Sequence, residues 1–198
     1  MSDFFGTVFK FIAALLLIPV IYAASMIFGK NFGQFAGIQE DFFYWGIWFF
    51  VVVYIFIYQF KGLQDAGRKI VSSVFGFVSP GKNFFANIIP FYFLILMLGF
   101  YVARNVFNVK DCSHYFLFFG GFFIAMHVIA TAVELQSQES GLVKPSYYFS
   151  MCLVYLFSVF SVILMMNLIT GNFTFPKYIN GIGKITQEIF WLFWKRFI

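Results

Sequence analysis

The chain has 198 residues, of which 62% are hydrophobic, 25% aromatic and only 11% charged. About a quarter of a soluble domain's residues are charged, and a core of this length cannot hide so much apolar surface, so a water-soluble fold is excluded and lipid is the expected solvent. The formal charge of +5 comes from lysines and arginines flanking hydrophobic runs, an arrangement that suits lipid headgroups rather than nucleic acid.

A helix of about 18 or more apolar residues can cross a bilayer core, and five stretches qualify: 11–28, 42–59, about 84–103, about 115–134 and about 147–170. Phenylalanine supplies 34 residues, with about half as many leucines, as expected for aromatic packing against lipid and other helices. The first stretch resembles a signal peptide, with Lys10, an apolar run and small residues at Ala23, Ala24 and Ser25. The run continues through Met26, Ile27 and Phe28, so an uncleaved span is expected, kinked at Pro19. The second carries Tyr44, Trp45 and Trp48 near one boundary and Tyr54 and Tyr58 near the other, as interfacial rings prefer, and Lys61 follows to snorkel.

Residues 66–79 read as a short interfacial helix. Asp65 is placed to cap it, Pro80-Gly81 to end it, and Ile70, Val71, Val74, Phe75 and Val78 to form its apolar side; a solvated loop is the other reading. Lys61, Arg68, Lys69 and Lys82 would form a basic row at the membrane surface. The third span holds Asn87 and Pro90, where a kink exposes a carbonyl, and Arg104 at its exit. In the fifth, Ser158, Ser161 and Asn167 suit hydrogen bonds to neighbouring helices. The tail has a flexible joint at Gly181 and Gly183. It then gives a basic aromatic helix, 184–198, with Lys184, Lys195 and Arg196, that lies on the membrane or grips a partner.

The fourth span carries the chemistry. Gly120, His127, Thr131 and Glu134 share one helical face, with Phe122, Ile129 and Val133 opposite, so the polar face should turn into the bundle. His127 and Glu134 lie about 10 Å apart along the axis and cannot pair directly. Ionisable groups at membrane depth are functional candidates, and this spacing suits two stations of a proton path; the plainer reading is that they hold helices together. Cys112 near His114 in a loop would suit a nucleophile pair, but no third group orients them. Two cysteines make no disulfide framework, no zinc-type ligand spacing occurs, and nucleotide-binding and hydrolase motifs are missing. No metal or cofactor is expected.

Basic residues do not orient the chain. Lys10, Lys61, Arg68, Lys69, Lys82 and Lys144 fall on one side of five spans. Lys30, Arg104, Lys110, Lys177, Lys184, Lys195 and Arg196 fall on the other. The internal cluster, flanked closely by two spans, favours a cytoplasmic N-terminus. The apparent glycosylation site at Asn172 abuts the fifth span too closely for use.

The expected fold is an all-α integral membrane protein, a single membrane domain with five transmembrane helices and one or two interfacial amphipathic helices. The expected role is a non-enzymatic multi-pass subunit of a larger complex, in a bacterial inner membrane or an organelle membrane. Its partners would be the bilayer and other membrane subunits, in a hetero- or homo-oligomer. A small channel or transporter using His127, Thr131 and Glu134 is the alternative, and a lipid-active enzyme a weaker third.

Overall fold

The structure, a computed structural model, describes residues 2–32, 37–57, 61–74, 87–109, 112–138, 144–170 and 175–197. Among these residues all regular secondary structure is helical. The helices are α1 (Ser2–Phe32), α2 (Gly37–Ile57), α3 (Lys61–Val74), α4 (Phe91–Asn105), α5 (Ser113–Gln138), α6 (Pro145–Thr170) and α7 (Phe175–Phe197). Helices are the form expected in lipid, where each backbone amide must find its partner within its own segment. Three are long and apolar enough to cross a bilayer: Phe5–Phe32, Ser113–Ser137 and Pro145–Ile169. Shorter α4 is apolar as well; it ends at Asn105, and three residues on Asn108, at φ 51°, adopts the left-handed conformation that asparagine tolerates.

The helices group into two compact units, Met1–Gln34 with Gln138–Ile198, and Phe35–Ser137. In the first, α1 runs unbroken through Pro19, which lies within the helix. Lys10 Nζ donates to Ser146 Oγ at 3.1 Å, and Ser25 Oγ meets Tyr155 Oη at 2.6 Å, so α1 and α6 run in the same direction. Their seam buries Ala23 and Ala24 against Leu156, Val159 and Ile163, together with Tyr178 and Ile182 of α7. Small alanines bring the backbones close, which gives the Tyr178 hydroxyl a carbonyl within reach: it donates to Ala24 O at 2.9 Å. Burial, then the neighbouring Tyr155, raises the pKa of this phenol, so it keeps its proton for that bond.

In the second unit, α2 and α5 cross on paired glycines. A Cβ at Gly46 would fall on the Phe118 carbonyl, and one at Gly121 on the Phe43 carbonyl. With backbones this close, rings fill the space beside the crossing: Phe49 against Phe118, and Phe50 edge-on to Phe122 at 5.2 Å. Helix α3 closes on α4 through Gly67, where a Cβ would lie 2.9 Å from the Tyr92 ring.

Several local expectations are corrected. Asp65 does not cap a helix at Ala66, because α3 already begins at Lys61. On α3, Gly67 and Val71 face protein while Ile70 and Val74 are exposed, so its buried stripe is narrower than the apolar pattern suggests. Residues 75–86 lie outside the described residues, as do the Lys61 side chain, Lys82, Lys110, Asp111 and the Asn172 site. Gly181 and Gly183 form no joint: α7 is continuous from Phe175, and a Cβ at Gly181 would lie 2.7 Å from the tip of Ile27. Gly181 therefore serves close packing on α1 rather than flexibility.

Candidate functional site

Pro90 breaks the chain ahead of α4, because its ring supplies no N–H and disfavours helical geometry in the residue before it. Asn87 and Ile88 are helical and Ile89 leaves the helix. A continuous helix would offer the Phe91 N–H to the Asn87 carbonyl; here it bonds Ile89 O at 2.9 Å. Two carbonyls are thereby turned towards α5, and the polar face of α5 meets them. Thr131 Oγ1 donates to Asn87 O at 3.4 Å, and His127 Nε2 lies 3.2 Å from Ile88 O. A carbonyl only accepts, so Nε2 carries the proton in this contact.

One turn further along α5, the Glu134 carboxylate pairs with Arg68 of α3. Arg68 is half-buried, and desolvation lowers its guanidinium pKa while Asp65 nearby opposes the fall. Arginine starts so high that it remains a cation, and the pair is neutral as a whole. Glu134, at the end of its expected span, therefore has a protein partner. Arg68, expected in the basic surface row, faces inward. The face has two sets of partners: His127 and Thr131 meet the Asn87–Pro90 break, and Glu134 meets α3.

A cavity of about 30 Å³ lies among Gly67, Arg68, Ile89, Tyr92, His127 and Thr131. That is room for one or two ordered waters. Towards the start of α5 the polar path stops against rings, with Phe123 stacked on Tyr92 at 5.9 Å and Phe50 buried beside Met126. Gly120 is buried on that side. Phe122 and Ile129, expected opposite the polar face, also pack on the Phe50–Met126 cluster, because α5 is covered by α2 as well as by the break; Val133 alone of those three is exposed.

The remaining candidates fall elsewhere. Ser161, expected to bond a neighbouring helix, donates to Phe157 O of its own helix at 2.8 Å, and the Asn167 amide likewise bonds Ile163 O at 2.8 Å. Ser158 Oγ is buried without a hydrogen-bond partner. In the first unit, bonds between helices include Lys10–Ser146, Ser25–Tyr155 and Tyr178 to Ala24 O, made by residues whose types alone do not mark them for it. Cys112 Sγ lies 3.8 Å from Val109 O, while the His114 ring packs against Phe42 and Tyr115. No group of three His, Cys, Asp or Glu suited to a metal occurs among the described residues. Lys69, Lys184, Lys195 and Arg196 are exposed. Arg68 had one sequence signal, its place beside Gly67, since a glycine in a short helix marks a close approach.

Comparison with protein-family profiles, curated proteins and solved structures gives no match.

Proposed function

We propose that the protein is a multi-pass membrane subunit without catalytic activity, whose His127–Thr131–Glu134 face is a latch that holds α3 and the Asn87–Pro90 break against α5. The observation that carries this reading is that each of the three side chains is engaged by protein, in a cavity with room for one or two waters. The three polar side chains are thus taken up by protein contacts. In this reading α2 and the segment around α4 cross the membrane along with the three longest helices, giving five spans. Helices α3 and α7 lie in the interface. The parallel course of α1 and α6 fits an even number of crossings between Lys10 and Lys144, as the four spans α1, α2, α4 and α5 supply.

Such a subunit works by presenting apolar faces to other membrane chains. Gentle detergent extraction from native membranes should bring down partner chains in fixed ratio. Isolation only as a lone monomer would overturn the reading.

A small proton channel is the second reading, favoured by the same cavity at His127. It requires a continuation past the ring cluster of Tyr92, Phe123 and Phe50, through a neighbouring copy or a partner. Under this reading Glu134→Gln and His127→Ala abolish proton flux in reconstituted vesicles, whereas under the latch reading neither variant changes flux.

A further inference from the structure

Along α7, burial fades on a single stripe. Tyr178 and Ile182 are buried against α1, Ile185 and Ile189 are half-buried, and Phe193 is exposed. The stripe itself does not become polar as it leaves those neighbours. At 100° per residue, Leu192, Ile185, Ile189, Phe193, Phe190 and Trp194 fall within an arc of roughly 200°, which also takes in Thr186. The complementary arc holds Lys184, Gln187, Glu188, Lys195 and one ring, Trp191. That ring lies under the Lys195 ammonium, 5.1 Å from its centroid. A tryptophan beneath a lysine on the polar arc is suited to the headgroup level, where its ring can meet both cations and water. Phe190, Trp191, Leu192 and Trp194 are all strongly exposed, with Trp194 at 69%. Lys177, Lys184, Lys195 and Arg196 are exposed too, against Glu188 as the acidic residue of the helix.

We propose that the second half of α7, from Lys184 to Arg196, is a docking helix for anionic lipid headgroups, with Trp194 sunk to the level of the upper acyl chains. The proposal rests on the membrane reading above and adds the chemistry of the surface to it. Charge complementarity decides the occupant: an apolar arc backed by Lys184 and Lys195, with Arg196 at its end, fits a surface that is greasy below and negative above, which is what an anionic leaflet offers. Lys195 and Lys184 reach headgroup phosphates from the polar arc. Arg196, at the last turn, extends along the apolar side and snorkels to the same level.

The test uses the full chain with Trp45, Trp48 and Trp191 replaced by Phe, which leaves Trp194 as reporter among the 4 tryptophans. It is reconstituted into vesicles of phosphatidylcholine alone, or with about one-third phosphatidylglycerol. Expected is protection of Trp194 from acrylamide in the anionic vesicles, lost at high salt. A Lys184→Gln/Lys195→Gln/Arg196→Gln variant should lose that protection too, by about fivefold in surface partitioning for each cation removed. Equal quenching in both vesicles, or protection indifferent to the triple variant, overturns the proposal. So does protection that appears only when a partner chain co-purifies. Resistance of the whole chain to alkaline carbonate extraction is read on the same vesicles: extraction sinks the membrane reading itself, whereas stable insertion with Trp194 freely quenched sinks only this one.

Discussion

Gly46 and Gly121 show how one missing methyl group sets a helix crossing. Each sits where a Cβ would meet the carbonyl of the opposing helix, and a carbonyl cannot swing aside as a side-chain tip can. Gly46→Ala or Gly121→Ala should therefore push α2 and α5 apart and cost roughly 1–3 kcal/mol, read as a lower melting temperature in mild detergent. Gly6→Ala is the control, because nothing lies within 4 Å of its Cβ position. There the alanine should be neutral or stabilising by up to about 1 kcal/mol, since it spares helix entropy. Arg68 and Glu134 act on the same scale through charge. Removing either one leaves its partner partly desolvated without a counter-charge, whereas removing both relieves the problem. A double-mutant cycle with Arg68→Met and Glu134→Gln should show a coupling of roughly 1–3 kcal/mol, and independent, additive losses would show that the pair does not hold α3.

At the scale of elements, the break ahead of α4 explains why α5 carries polar groups where apolar ones would do. Pro90 withholds the helical partner, two carbonyls turn outward, and Thr131 and His127 receive them. Thr131→Val keeps the shape and removes the donor. It should cost about 0.6 kcal/mol, the average for such bonds within membranes, and at most about 1.7 kcal/mol. Pro90→Ala should do the reverse: the helix can close through Ile89, and hydrogen exchange at the Phe91 amide should slow while Thr131 loses its acceptor. The polar face of α5 was legible in the sequence, because spacing alone puts His127, Thr131 and Glu134 in line. Their partners were not. Asn87 O and Ile88 O belong to the backbone and carry no residue signature, and Arg68 lies far from Glu134 in sequence. The glycines of α7 were legible as glycines but misread as a joint, since the same residue serves a bend or a close contact and only the position of Ile27 separates the two.

For the whole molecule the open variable is the number of crossings. Helices α1 and α6 run in parallel, which either three or five spans permit and four do not. The two counts place α3 differently. With five spans, exposed Ser73 lies on the same side as Lys10 and Lys144; with three, formed by α1, α5 and α6, it lies on the opposite side. In a chain whose Cys112 and Cys152 are replaced by Ser, Ser73→Cys should react with an impermeant maleimide from the same side as Lys10→Cys, and labelling from the other side would reduce the count to three.

Composition and run length determined by themselves that this chain is helical and built for lipid, because apolar side chains over such stretches have no other stable surroundings. Spacing determined which face of α5 is polar, since helical periodicity is local. Tertiary structure alone decided that the polar face closes on a broken helix and an inward-facing arginine, and that glycines set the α2–α5 crossing. Those outcomes depend on which distant backbone atoms come within hydrogen-bonding or van der Waals reach, a property that no local pattern encodes.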